Sequence, residues 1–110
     1  MYLSVVIPVL NEEGSLPQLT KELIENLSEY EKWEVIFVDD GSGDGSTVWL
    51  TELCSKEKNF KMIQFFKNYG KSAALSEGFK VANGEYIITM DADLQDDPSE
   101  IKNLIKKLNE

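Results

Sequence analysis

The chain has 110 residues, 42% hydrophobic and 28% charged, which is enough for one domain with a modest core. Eleven basic residues against twenty acidic ones leave a formal charge of −9, and no Lys/Arg block offsets it, so a nucleic-acid partner is not expected. One cysteine, Cys54, precludes an intrachain disulfide, and the lack of histidine removes Ser-His and Cys-His nucleophilic machinery.

Four apolar runs predict strands over Leu3–Val9, Trp33–Val38, Phe60–Phe66 and Glu85–Met90. The first, second and fourth are nearly continuous Val, Ile, Leu, Phe and Tyr, the pattern of strands buried on both faces of a parallel sheet. After the first strand, Leu16, Leu19, Leu23, Ile24 and Leu27 recur at helical spacing, with Ser15 and Gln18 forming an expected capping box. A second helix is predicted over 46–56 with Leu50, Leu53 and Cys54 facing inward and Asp44 as its cap. A third, over 71–83, should pack Leu75, Phe79 and Ala82 and stop at Gly84. The last carries Ile101, Leu104, Ile105 and Leu108, with Asp97 as cap and Pro98 at its first position. No apolar run approaches the ~20 residues of a membrane helix, and no signal-type segment opens the chain, so a soluble fold is expected.

Strict alternation of strand and helix implies a three-layer α/β/α domain with a parallel, Rossmann-like sheet and right-handed crossovers. In such a sheet the carboxyl ends of the strands share one edge, where ligands bind. The segments leaving the strands at that edge are acidic: Asn11-Glu12-Glu13, Asp39-Asp40-Gly41-Ser42 and Asp91-Ala92-Asp93-Leu94-Gln95-Asp96-Asp97. Crowded carboxylates repel, and Lys67 and Lys71 are the cations the sequence brings nearby. A divalent ion with oxygen ligands, Mg²⁺ or Mn²⁺, would relieve the repulsion and could also bind phosphates. Asp91 and Asp93 are the candidate metal ligands, because residues two apart in extended chain point the same way. Asp40 is a candidate for a base N–H or ribose hydroxyl, Pro8 pins the exit of the first strand, and Glu12 reaches the same crevice. Glu13 is expected to be solvated. If Glu12 and Asp91–Asp93 share a crevice, the spatial strand order is 3-2-1-4.

Taken together, VVIPVLNEEGSLPQL, EVIFVDDGSGDGS, FFKNYGKSAALSEGF and GEYIITMDADLQDDP resemble the family 2 glycosyltransferases, inverting enzymes with a GT-A fold. The likeness spans the whole chain and runs toward the branch that glycosylates polyprenyl phosphates, including dolichyl-phosphate mannose synthases and bacterial undecaprenyl-phosphate glycosyltransferases. It implies a UDP- or GDP-linked sugar donor, a lipid-phosphate acceptor, and a parent protein at the cytoplasmic face of a membrane. By the resemblance, Pro8, Leu10 and Glu12 would line the nucleotide pocket, with Val38 and Asp40 around the base. Asp91, Ala92 and Asp93 would sit beneath the diphosphate, the two aspartates holding the metal as the catalytic electrostatic groups, and Gln95 would lie near the sugar or acceptor phosphate. Lys71 falls in the family's Asn-Tyr/Phe-Gly-x segment, which would bring it toward the nucleotide; the alternative reading is a surface lysine. The family continues past this length with further strands and an acceptor region, so residues 1–110 are expected to be the nucleotide-sugar-binding part, inactive alone. Rival readings are a receiver-like signalling domain, a phosphohydrolase using Asp-x-Asp, and a fragment that binds nucleotide weakly.

Overall fold

A computed structural model describes residues 1–108. Strands β1 (Tyr2–Val9), β2 (Lys32–Asp39), β3 (Phe60–Gln64) and β4 (Tyr86–Thr89) alternate with helices α1 (Leu16–Leu27), α2 (Ser46–Lys56), α3 (Lys71–Val81) and α4 (Ile101–Leu108). A 3₁₀ turn at Pro98–Glu100 leads into α4. The strands form one parallel sheet in the order β3-β2-β1-β4, the order expected from the shared crevice.

The register sorts side chains by parity, because alternate residues of a strand face opposite ways. Leu3, Val5, Ile7 and Val9 face the same side as Val35 and Phe37, where α1, α2 and α4 supply Leu16, Leu19, Leu23, Leu27, Leu50, Ile101 and Ile105. Val6, Ile36 and Val38 face the other side and meet Ala74 of α3. The chain steps from β1 to β2 to β3 in one direction and then returns past both to β4. Right-handed crossovers therefore put α3 on the face opposite α1 and α2. The chain needs a glycine to seat α3 this closely: a Cβ at Gly78 would stand 2.3 Å from Cγ1 of Val6. Aromatic rings close the β2–β3 side of the larger core, with Phe37 stacked on Phe60 and Trp33 edge-on to it.

Beneath α3, at the end of the sheet remote from the strand exits, lies a buried charge. Glu34 is 2% exposed and accepts from Ser4 Oγ (2.6 Å), Lys61 Nζ (2.7 Å) and the Asn83 N–H (2.6 Å). Burial pushes its carboxyl pKa up, but the hydrogen bonds from Lys61, Ser4 and Asn83 outweigh burial and leave it below the ordinary carboxylate value.

Several local expectations need correction. Ser15 makes no capping-box bond; its single hydroxyl proton goes instead to the Ala92 carbonyl (2.5 Å), with the Glu12 carbonyl oxygen farther off at 3.1 Å. Ile24, Phe79, Leu104 and Leu108 are exposed, and the buried positions of α3 and α4 are held by Ala74, Gly78, Ile101 and Ile105. β3 ends at Gln64, and Phe66 beyond it is 98% exposed, because β2 offers pairing only as far as Asp39 opposite Gln64. α3 ends at Val81, two residues early, since the Asn83 N–H is taken by Glu34 and the Gly84 N–H by Ser4 Oγ. At the start of the final helical segment Asp97 Oδ1 accepts from the Ser99 N–H at 2.9 Å, the cap expected from the sequence. No helix among the described residues is long and apolar enough to cross a membrane.

Candidate donor-binding cleft

The carboxyl ends of β1, β2 and β4 surround an open cleft of about 320 Å³. Pro8, Val9, Leu10 and Glu12 line it from β1 and its exit, Asp40 from β2, Asn68, Gly70 and Lys71 from the start of α3, and Asp91, Ala92 and Asp93 from β4. Seven of the predicted site residues thus meet in one crevice. Two do not. Val38 is fully buried under α3, on the parity that turns its side chain into the smaller core. Gln95 borders a separate hollow with Met90, Asp96, Asp97 and Glu100 on the far side of the β4 exit.

The walls of the cleft are built by contacts between loops. Asn11 donates its N–H to Ser42 Oγ (3.0 Å) and accepts the Gly43 N–H at Oδ1 (2.7 Å). The Glu12 N–H reaches Ser46 Oγ (3.1 Å) and the Glu13 N–H reaches Asp44 Oδ2 (3.2 Å). Glu13 returns a bond by accepting the Gly45 N–H at Oε1 (3.1 Å), so its carboxylate is a brace at the start of α2 rather than simply solvated. Asn11 takes φ 54, a left-handed conformation asparagine tolerates better than most residues. Asp44 accepts the Ser46 N–H at 2.9 Å from one position before the geometric cap, Gly45. Hydrogen bonds from Ser46 and Glu13 hold the Asp44 carboxyl below the usual range. Asp39, fully buried, accepts from the Ser42 N–H (3.0 Å) and from Thr47 Oγ1, tying the β2 exit to α2.

On the opposite wall, Asp40 serves the next loop. Only 4% exposed, it accepts the Tyr69 N–H at Oδ1 (2.8 Å) and the Gly70 N–H at Oδ2 (3.1 Å). The two loops approach backbone to backbone: Gly41 has φ +76, and a Cβ there would lie 2.4 Å from the carbonyl carbon of Lys67. Lys67 itself lies over the Tyr69 ring and does not line the cleft.

The floor is the Asp91–Asp93 turn. Asp91 donates its N–H to Asp96 Oδ2 (2.9 Å), Asp93 Oδ1 accepts the Gln95 N–H (3.1 Å), and Leu94 between them has φ 67. Leucine in that region is uncommon and costs on the order of 1 kcal/mol or more, and such positions cluster at functional sites. Lys71 Nζ donates to Asp91 Oδ1 at 2.6 Å, and that bond raises the lysine pKa, with Asp96 and Asp93 adding to the effect.

Within the lining, four carboxylates (Glu12, Asp40, Asp91, Asp93) face one ammonium, Lys71. Among the described residues no three carboxylates converge into a closed metal cage. That suits Mg²⁺ or Mn²⁺, which usually takes one or two protein carboxylates and completes its shell with phosphate oxygens and water. Asp91 and Asp93 are hard oxygen donors on the floor of the cleft, and Asp91 already holds a cation in the form of Lys71. The donor set fits.

The glycosyl transferase family 2 profile matches residues 4–110. The chain belongs to this family. It is 46% identical over 109 residues to the undecaprenyl-phosphate 4-deoxy-4-formamido-L-arabinose transferase of Proteus mirabilis, covering 97% of the chain and 33% of that protein. Against the transferase of the same name from Pectobacterium carotovorum it is 47% identical over 105 residues, covering 94% and 32%. The chain therefore spans about one third of the length of these curated relatives. Among solved structures, S. aureus TarS 1–349 in complex with UDP superposes with a TM-score of 0.73 at 25% identity, covering 99% of the chain and 32% of TarS. The mannosyltransferase PcManGT of Pyrobaculum calidifontis, solved with GDP-Man and Mn²⁺, gives 0.74 at 24% identity, covering 98% and 32%. The architecture is the N-terminal part of a GT-A glycosyltransferase fold. With family membership established, the receiver and phosphohydrolase readings fall.

Proposed function

We propose that residues 1–110 are the nucleotide-sugar-binding part of a metal-dependent, inverting glycosyltransferase whose acceptor is a polyprenyl phosphate. The observation that carries this reading is the cleft at the β1/β4 reversal point, where Asp91 and Asp93 stand opposite Glu12 and Asp40 with one lysine among them. The names of the relatives, each an undecaprenyl-phosphate sugar transferase, support the acceptor class. The UDP complex of TarS supports a nucleotide donor.

In this reading Asp91 and Asp93 hold Mg²⁺ or Mn²⁺. The chemistry such an ion supplies is neutralisation of charge on the departing nucleoside diphosphate. Pro8, Leu10 and Glu12 form the wall along which the nucleotide lies, and Asp40 fixes the loop that closes its other side. The Ala92 carbonyl is held by Ser15, which fixes the turn beneath the diphosphate to the start of α1. A phosphate acceptor arrives already ionised, so the chain needs no general base for attack on the anomeric carbon, consistent with its lack of histidine.

The test is calorimetric titration of UDP and of GDP into the chain, with and without Mn²⁺. Binding of one nucleotide is expected to require the metal and to be lost in Asp93→Ala. Equal affinity in that variant would remove Asp93 from the metal site.

A further inference from the structure

We propose that Ser15 is a positioning residue of the donor site, its hydroxyl holding the Ala92 carbonyl so that Asp91 and Asp93 are presented together to a metal ion. The assignment rests on the donor-site reading above and adds to it a residue that stands outside the cleft lining.

Three observations carry it. First, Ala92 is held on two sides. Its side chain is 3% exposed and belongs to the larger core, and its carbonyl oxygen lies 2.5 Å from Ser15 Oγ. Asp91 and Asp93 flank that fixed residue, the first partly exposed and the second exposed, and both line the cleft. Where Ala92 sits therefore decides where both carboxylates sit. Second, the turn has little else to hold it. The bonds from the Asp91 N–H to Asp96 and from the Gln95 N–H to Asp93 are internal to the segment, and the Lys71 ammonium reaches Asp91 through an exposed, weak pair. Leu94 at φ 67 adds backbone strain, which favours relaxation once the carbonyl is released. Third, Ser15 is a rigid post. Its N–H and that of Leu16 both donate to the Glu12 carbonyl at 3.1 Å, and its own carbonyl accepts the Leu19 N–H at 3.0 Å. Glu12 Oε2 stands 3.2 Å from the same Oγ, so the hydroxyl lies where the nucleotide wall and the metal turn meet. Hydrogen bonds one step behind a ligating carboxylate orient it and typically govern about 10- to 100-fold in metal affinity. An open turn tied down by one such bond belongs at the low end.

The probes are the preformed Mn²⁺–UDP and Mn²⁺–GDP complexes, titrated by calorimetry into the 110-residue chain, with circular dichroism confirming the fold of each variant. Ser15→Ala should weaken binding of whichever complex the wild type takes by about 10-fold. Ser15→Thr keeps the hydroxyl and should restore affinity to within about 3-fold of wild type. Ser4→Ala separates positioning from general destabilisation. It deletes another buried hydroxyl, the one bonded to Glu34 at the far end of the sheet, and should lower stability while leaving affinity within about 2-fold. Amide hydrogen exchange gives a readout without metal: protection of the Asp91 and Gln95 N–H groups should fall in Ser15→Ala and hold in Ser4→Ala. If Ser15→Ala binds as tightly as wild type while Asp93→Ala does not, or if Ser4→Ala weakens binding as much as Ser15→Ala, the positioning role is overturned and the donor site stands. If the wild type binds neither complex, the donor-site reading falls and takes the positioning role with it.

Discussion

Asp40 offers a test that separates a structural strut from a ligand contact. The resemblance puts this residue beside the nucleotide base, whereas its carboxylate accepts two backbone N–H groups, from Tyr69 and Gly70, at 2.8 and 3.1 Å. Each such bond contributes roughly 0.5–1.5 kcal/mol net, so Asp40→Ala should lose about 1–3 kcal/mol of stability. For a domain of this size that is a fall in Tm of about 4–12 °C. Asp40→Asn keeps one acceptor oxygen but turns an amide NH₂ toward the second N–H, so it should lose about half as much. The direct measurement is amide hydrogen exchange: protection at residues 69 and 70 should drop in both variants, and more in Asp40→Ala. Nucleotide affinity should fall as well, because the loop carrying Lys71 loses its anchor. If Tm and protection at 69 and 70 are unchanged while nucleotide binding weakens, Asp40 acts on the ligand and the strut argument is wrong.

Two further substitutions test the fold that carries the cleft. Gly78→Ala gains about 1 kcal/mol of helix propensity but drives a methyl group into Val6, a stiff β-branched neighbour with no room to yield, at an overpacking cost of about 1–3 kcal/mol. A net loss is expected in chemical denaturation, and an equally stable variant would show that α3 can lift off the sheet cheaply. Glu34→Gln tests the buried charge. The folded pKa of Glu34 lies below its ordinary value of 4.5, so its contribution is present above that pH and is lost as pH falls through the folded pKa. The stability gap between wild type and Glu34→Gln, about 1–2 kcal/mol at pH 7, should therefore shrink as the pH falls below the ordinary carboxylate value and through the lower folded one. A gap that stays constant over that range would mean the charge contributes nothing.

The sheet was legible because its signal is local and redundant. Val5, Val6 and Ile7, like Val35, Ile36 and Phe37, form continuous apolar runs that only strands covered on both faces require. Asp91 and Asp93 stood out for a similar reason: they leave an apolar strand at the one edge where a parallel sheet gathers its loops. What escaped was long-range. Asn11, Glu13 and Asp39 look like ordinary loop acids and amides, and their partners lie in other segments or across a turn, so no periodicity encodes the pairing. Ser15 followed by Gln18 is a capping signature, but the Ala92 carbonyl, 77 positions away, competes for the hydroxyl and takes it. Val38 failed on parity: it lies at a strand end near the cleft, yet its side chain points to the α3 side and is covered there.

The lacing of the first two loops has a consequence for how the cleft can change over generations. Asn11 with Ser42 and Gly43, and Glu13 with Asp44 and Gly45, form matched donor–acceptor sets across some thirty residues of chain. Replacing Asn11 alone strands the Gly43 N–H, and enlarging Gly45 alone collides with the Glu13 carboxylate, whose Oε2 would lie 2.0 Å from a Cβ there. The two loops are thus one heritable unit. New preference for a base or ribose on this wall would therefore call for paired substitutions in both loops.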